Sequence, residues 1–587
     1  LRFASGEAAA HPHTDMKEKI LQIVKEALKT EGLDEAVFDI TVPEDPSFGH
    51  YSTNFAMRVA KAQGKRPLEL AQELAVKIGA AAPAGFFEKV EAAAPGFINF
   101  WLNSETVQDV FREIARKKEF GKSDIGKRKT VIIDYSGVNI AKPFHLGHFR
   151  NTIIGAALAN IYEALGYHVV RWNYLGDWGT QFGKLIVAYR TWGNKEEIEK
   201  NPIGELQKLY VLFHEEAEKQ PELEVRAQEE FKKLEDGDKE NLKLWEWFKK
   251  ESLIEFERMY EKIGVGFDVW IGESFFEKEM RPLVAELLKK GVAERSEGAV
   301  VIRLDEFNLQ PGLIEKTDGA SLYLTRDIAN LRYRIEKYKP AKILYVVGNE
   351  QSFQFEQLFA IAKKLGMDSA ELAHIKYGLV LGEGGKKFST RRGEAVFVAE
   401  IVDKAVTLSR GVIEEKARDL SDEEKASVAE AIALGALKYN DLKENRMSDI
   451  VFDWDTMLDF TGDSGPYLQY TYARLRSILR KAEDEHAGKA DAKQMHLLTS
   501  ENELGLMRKI FQLPEVVEKV GELYATSILA TYLYKLAVTA NKFYETTPIL
   551  KDEDAARRSA RLALVETAAR TIRDGLALLG IKAPEKI

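Results

Sequence analysis

Two histidines three residues apart, His145 and His148, flank Gly147 in the run from Val131 to Gly155, VIIDYSGVNIAKPFHLGHFRNTIIG. The β-branched Val131, Ile132 and Ile133 suit a buried strand, and the small-residue run after His148 suits a helix. His-Leu-Gly-His therefore falls at a strand-to-helix junction. A helix start there carries free N–H groups and a partial positive charge, so it can hold phosphate. Gly147 lacks the Cβ that would keep a nucleotide ring off the backbone. Two imidazoles three apart on a first helical turn face one side and can donate to phosphate oxygens. Further on, Leu381 to Gly393 reads LGEGGKKFSTRRG, in which glycines precede Lys386, Lys387, Ser389, Thr390, Arg391 and Arg392. Such a cationic loop can close over a triphosphate and neutralise charge on departing pyrophosphate. It lacks Walker spacing. Alone, the first stretch also reads as an ordinary helix start and the second as an exposed basic hairpin.

The elements that must position these residues follow from pattern. A chain of 587 residues exceeds one core and divides into three or four domains. A hydrophobic fraction of 45% and a charged fraction of 30% fit an ordinary soluble protein. No apolar run approaches the roughly 18 residues of a membrane span. The absence of cysteine excludes disulfides, thiolate catalysis and Cys-ligated zinc. A net charge of −9 gives no global attraction for nucleic acid, so an RNA site must be a local basic face. Residues 1–15 read as an appended scar or disordered tail without a signal-peptide core, and Met16, which opens an amphipathic helix, as the native start. A cytoplasmic location is then the default expectation.

Residues 16–125 read as a small α+β domain with strands near 38–42 and 96–101. Residues 126–400 read as a doubly wound nucleotide-binding domain whose helical insertion covers about 193–292. Its sheet should use 131–135, 168–172, 299–303, 321–324 and 343–347. Ligands would lie beyond the strand ends, near Tyr323, Asp327, Gly348 and Gln351. A helical connector at 401–430 and an all-α domain at 431–587 follow. The insertion's charge reads as a solvated surface.

With the basic loop following the His-x-Gly-His unit, the chain resembles a class I aminoacyl-tRNA synthetase, and in finer detail an arginyl-tRNA synthetase. The family's blocks stand here as Asp134-Tyr135-Ser136, Asn139-Ile-Ala-Lys-Pro143, Gly-Asp-Trp-Gly-Thr-Gln-Phe-Gly at 176–183, Leu-Tyr-Leu-Thr-Arg-Asp at 322–327, Gly-Pro-Tyr-Leu-Gln-Tyr at 465–470 and Leu-Leu-Gly-Ile-x-x-Pro-Glu at 578–585. The resemblance runs from Met16 to the C-terminus. It implies a Rossmann-type (HUP-like) α/β catalytic domain with a helical insertion, an α+β domain that binds the tRNA elbow and an all-α anticodon-binding domain. It implies ATP-dependent activation of L-arginine to arginyl-adenylate and transfer to the 3′-terminal adenosine of tRNA(Arg).

The resemblance maps phosphate binding and transition-state stabilisation onto His145, His148, Lys387 and Ser389, with Lys142, Gly147 and Phe388 completing the ATP site. Asp134, Asn139, Tyr323, Asp327 and Gln351 would hold arginine, whose planar guanidinium wants carboxylates in fixed geometry. Tyr323 and Asp327 share a face if their segment is helical. Trp178 would wall the pocket. The substrate's carboxylate already attacks phosphorus, so the first step needs no general base. Phe97 and Asn99 would touch the tRNA elbow, and Tyr467, Tyr470, Arg474, Tyr544 and Ile587 the anticodon, with Phe543 in the helix core. Magnesium would accompany ATP without a dedicated site; no zinc, no membrane and a monomer are expected. Departures from the family pattern stand at Gly137-Val138, Gln354, Phe388 and Ile587. The rivals are a synthetase for another amino acid and a non-catalytic RNA-binding paralogue.

Overall fold

The computed structural model describes residues 16–29, 32–33, 38–317, 323–381, 397–417 and 419–587. The N-terminal module comprises α1 (Met16–Lys29), β1 (Tyr51–Thr53), α2 (Phe55–Val59), α3 (Pro67–Ala81), β2 (Phe87–Ala93), β3 (Phe97–Leu102) and α4 (Ser104–Arg116). Ile20, Val24 and Leu28 of α1 recur at helical spacing and are buried. The three strands form an antiparallel sheet in the order β1-β3-β2. The strand expected near 38–42 is only a bridge between Thr41 and Ser52; Pro43 follows and can donate no ladder bond.

The central domain runs β4 (Thr130–Asp134), α5 (Leu146–Ala164), β5 (His168–Leu175) and α6 (Thr180–Trp192) into the inserted helices α7 (Lys195–Lys200), α8 (Pro202–Lys219), α9 (Glu222–Glu235) and α10 (Lys239–Ile263). It continues with β6 (Val269–Gly272), α11 (Glu277–Lys289), β7 (Glu294–Ser296), β8 (Ala299–Ile302), β9 (Gly312–Glu315), α12 (Tyr323–Tyr338), β10 (Lys342–Gly348), α13 (Ser352–Lys364) and β11 (Glu371–Tyr377). Five parallel strands lie in the order β11-β10-β4-β5-β6. Chain order reverses between β4 and β10, which opens a crevice at their carboxyl ends.

This sheet differs from the sequence expectation in its membership. The short edge strand β6 lies inside the stretch assigned to the insertion, which therefore ends with α10. The strand at 299–303 joins a separate antiparallel sheet, β7-β8-β9. Strand propensity marks an extended segment without naming its partner. Of the expected strand 321–324, residues 321 and 322 lie outside the described residues and Tyr323 opens a helix.

Beyond β12 (Val380–Leu381) come α14 (Val398–Lys416), α15 (Asp422–Leu442), β13 (Ile450–Val451), α16 (Trp454–Met457), α17 (Gly465–Asp484), α18 (Glu501–Phe511), α19 (Leu513–Leu523), α20 (Thr526–Thr546) and α21 (Ala555–Leu578). The boundaries drawn at 400 and 430 fall inside α14 and α15 respectively. Ser421 and Glu424 form a reciprocal capping box that starts α15 where the sequence shows a charged run. The fully buried Arg150 of α5 donates to Leu379 O at 3.1 Å and Arg446 O at 3.2 Å and lies 3.3 Å from Asp441 of α15. The N-terminal module docks on the C-terminal helices through Gln108 Nε2 to Leu498 O at 2.9 Å and the Tyr51 hydroxyl to Glu515 at 2.8 Å. Among the described residues no helix is long and apolar enough to cross a membrane.

Candidate active site

Between β4 and α5 the backbone bends through Ser136, Gly137 and Ala141, all at positive φ. At +57° Gly137 occupies the left-handed region, where glycine costs least. His145 then caps α5, and its Nδ1 accepts the Gly147 N–H at 3.1 Å. That bond leaves the neutral ring's proton on Nε2, the nitrogen free to donate. The His145 and His148 rings stack at 3.8 Å, and His148 Nδ1 is buried without a partner among the described residues. Burial, then Lys142, pushes His145 down; burial, then His145 and Lys142, pushes His148 well down. Both rings are therefore neutral hydrogen-bond donors at pH 7. A Cβ at position 147 would come within 3.1 Å of the His145 ring.

Lys387, Phe388 and Ser389 lie outside the described residues. The chain on either side of them is anchored close to the histidines. Before them, β12 pairs with β13 and Leu379 N–H donates to Asp449 at 2.7 Å. After them, Phe397 bridges to His145, and Val398 N–H donates to Phe144 O at 3.1 Å.

A cavity of about 590 Å³ fills the crevice and brings together Asp134, Asn139, His145, Gly147, His148, Tyr323, Asp327 and Gln351. Tyr323 and Asp327 do lie on one face of α12. Asp327 accepts Gln354 Nε2 at 2.5 Å, so the residue that departs from the family pattern is in contact with a candidate substrate ligand. Burial pushes Asp327 up to about 6.

Asp134 differs from expectation. One of its oxygens is already taken by Arg334, whose Nη2 donates at 2.5 Å. That guanidinium is fully buried, 4.5 Å from the Trp172 ring and 5.2 Å from that of Tyr345. Asp134 is thus half of an internal ion pair rather than a second free carboxylate beside Asp327. Burial raises its pKa and Arg334 opposes that rise.

The carboxylate that bears on Asp327 itself is Asp134; a further carboxylate, Glu273, which sequence reasoning missed, is one on which Asp327 bears. Glu273 lines the cavity just after β6; burial, partly offset by Arg326, pushes it up to about 7. Arg326 Nη1 stands 3.5 Å away. Buried Asp177 holds the Glu273 turn by accepting Ser274 N–H and Oγ–H, both at 2.8 Å, and Lys249 at 2.5 Å. Asn139 bridges to Gly176, where any Cβ would collide with its amide. Two expected placements differ. Trp178 does not line this cavity but packs in the core against Phe231 and Trp245. The Lys142 ammonium lies over the Tyr210 ring of α8, outside the cavity wall.

Family models match the chain as class I (R) tRNA synthetase catalytic domain over 109–454, DALR anticodon binding domain over 468–587 and arginyl tRNA synthetase N terminal domain over 14–102. It is 41% identical to the arginine–tRNA ligase of Halothermothrix orenii over 576 residues, covering 98% of this chain and 100% of that one. Identity to the Enterococcus faecalis arginine–tRNA ligase is 45% over 535 residues, with 91% and 92% covered. The chain belongs to the arginyl-tRNA synthetase family. Among solved structures, arginyl-tRNA synthetase of Thermus thermophilus matches with a TM-score of 0.83 at 26% identity, over 97% of this chain and 100% of that one. That of Plasmodium falciparum gives 0.80 at 26%, over 98% and 99%.

In this arginyl-tRNA synthetase family member the candidate RNA-facing residues separate into exposed and buried sets. A groove of about 1040 Å³ is lined by Tyr470, Arg474, Tyr544 and Ile587 together with Lys416 and Lys551. The Arg474 guanidinium lies 4.9 Å from the Tyr470 ring and 5.8 Å from that of Tyr544. Tyr467 lies outside the groove wall, its hydroxyl accepting Asn541 Nδ2 at 3.0 Å. Phe543 is core, as expected. In the N-terminal module Phe97 is exposed, whereas Asn99 is buried with its Oδ1 accepting Ser52 Oγ at 2.7 Å. As placed, Asn99 fastens β3 to β1 instead of presenting its amide to RNA.

Proposed function

We propose that this chain is an arginine–tRNA ligase that forms arginyl-adenylate from L-arginine and ATP and passes the arginyl group to the terminal adenosine of tRNA(Arg). The observation carrying this reading is one cavity with a stacked histidine pair at one end and the Asp327–Glu273 carboxylates at the other. ATP phosphates would receive the His145 Nε2–H and a ring N–H of His148 at the start of α5, where the helix adds its own partial charge. Arginine would set its guanidinium toward Asp327 and Glu273, with its ammonium near the Asp134 carboxylate and the Asn139 amide. Its carboxylate oxygen bonds to the α-phosphorus while the bond to the β-phosphate oxygen breaks and pyrophosphate leaves. The tRNA 2′-hydroxyl then attacks the carbonyl carbon, an ester forms and AMP departs. Catalysis in this scheme is orientation plus charge stabilisation.

Lys387 and Ser389 are assigned to the β- and γ-phosphates on resemblance. Among the described residues no group of three or more His, Cys, Asp or Glu side chains is placed to hold a metal. Magnesium would arrive on the ATP phosphates, an assignment made on resemblance. We assign tRNA elbow binding to the N-terminal module around Phe97, anticodon binding to the Tyr470–Arg474–Tyr544–Ile587 groove, and a monomeric, cytoplasmic state. The test is tRNA charging with each of the twenty amino acids, labelled, in the presence of ATP and bacterial tRNA. Charging with arginine alone supports the reading. Charging with another amino acid would overturn the pocket assignment, and tRNA binding without charging would point to a non-catalytic paralogue.

A further inference from the structure

The guanidinium of arginine presents five N–H donors in one plane, and each donor buried without an acceptor costs binding energy. At the acidic end of the cavity the carboxylates are partly engaged: Asp327 accepts Gln354, and Glu273 faces Arg326. Two neutral polar atoms in the same wall are unused. The Asn330 side chain, 3% exposed, lines the cavity one turn beyond Asp327 on α12, and its Oδ1 has no hydrogen-bond partner among the described residues. On β5, the buried Tyr174 hydroxyl also lines the cavity and also lacks a partner among them. Burial holds that phenol neutral, and both Asp327 and Glu273 bear on it. Buried polar atoms left unpaired are rare in folded proteins, and two in one cavity wall mark where a ligand's donors belong.

We propose that Asn330 Oδ1 and Tyr174 Oη accept guanidinium N–H groups of the substrate, making them specificity determinants for arginine beyond the carboxylates. This rests on the ligase reading. The two residues complete a mixed acceptor set: carboxylates supply charge, and the amide and phenol supply the fixed directions that an ammonium substrate cannot match. The competing explanation is architectural. Asn330 precedes Arg334 by one turn, and Arg334 Nε and Nη1 are themselves buried without partners among the described residues. An Asn330 side chain that merely steadied Arg334 would affect every substrate alike.

The experiment compares wild type, Asn330→Ala and Tyr174→Phe in tRNA charging with arginine and with Nω-methylarginine, which has lost one terminal N–H. Tyr174→Phe removes a single oxygen and is the variant expected to fold unchanged, as a thermal melt would verify. Loss of a hydrogen bond to a charged group predicts a rise in arginine KM of about ten- to a hundredfold with kcat and ATP KM little altered. In Asn330→Ala the preference for arginine over Nω-methylarginine should fall by at least about tenfold. Unchanged arginine KM in both variants, or equal losses for both substrates, would overturn the proposal. Failure of the wild-type chain to charge arginine would remove the function it rests on, and the proposal with it.

Discussion

Burial holds Asp327 at about 6 and Glu273 at about 7, so these two of the cavity's carboxylates titrate close to physiological pH. Each raised pKa means the neutral form persists to higher pH, and only the ionised form attracts a guanidinium. In the arginine-free protein, kcat/KM for arginine should therefore fall as pH drops through 7 and fall more steeply through 6. Glu273→Gln should remove the upper inflection, and a flat profile from pH 8 to 6 would exclude these carboxylates from arginine binding. By the same linkage, added arginine should raise the melting temperature more at pH 8 than at pH 6. At the other end of the cavity, His148→Ala removes a phosphate donor and should slow adenylate formation by about 10²–10³-fold, as loss of a preorganised donor does. Its tRNA affinity should stay within about twofold in a filter-binding assay, since His148 touches no RNA-facing groove. The histidine pair was legible in the sequence because both its partners and its helix start are local. Glu273 and Arg334 were not. Asp134 and Arg334 pair across 200 positions, and no local pattern announces such a contact.

Elements were legible where periodicity and neighbours agree. The β4–α5–β5 unit and the helical C-terminal region follow directly from strand-like runs and amphipathic spacing. Helix α12 carried a further signal, for Tyr323, Asp327, Asn330 and Arg334 step by four, three and four, and so fall on one face. Strand β6 escaped because four residues beside charged helices carry little pattern, and β8 was placed in the wrong sheet because pairing is a tertiary property. Helix α5 is held to α15 by Arg150, whose buried charge is opposed, among the described residues, by Asp441, itself pushed up to about 6 by burial. Removing one partner of such a pair leaves a buried charge. Arg150→Met should cost about 3–5 kcal/mol, read as a lower denaturation midpoint. Arg150→Met with Asp441→Leu should recover part of that loss, whereas an additive loss would show that the backbone bonds to Leu379 and Arg446 carry the tether.

The molecule's net charge of −9 works against RNA, so the proposed tRNA binding would need local surfaces, of which the Tyr470–Arg474–Tyr544 groove is the one we assign. Aromatic faces beside a guanidinium suit unstacked bases, and each stacking residue is worth about 1–3 kcal/mol. The groove and the catalytic cavity are joined by α14, a single helix of 19 residues and about 28 Å. Its N-terminal end adjoins Phe397, which bridges to His145, and its last residue, Lys416, lines the groove. One helix thus touches both the groove and Phe397, and any coupling of tRNA binding to the cavity would run through it. The resemblance to arginyl-tRNA synthetases implies activation that needs bound tRNA, so we expect little arginine-dependent pyrophosphate exchange without it. Tyr470→Ala and Tyr544→Ala should each shift the tRNA concentration for half-maximal exchange upward by about five- to a hundredfold, with ATP KM measured at saturating tRNA unchanged. If exchange proceeds at a comparable rate without tRNA, the cavity is already competent and α14 serves only as a strut. If the variants lower the plateau and not the midpoint, groove residues act on the chemistry through α14, because binding at saturation cannot then be limiting.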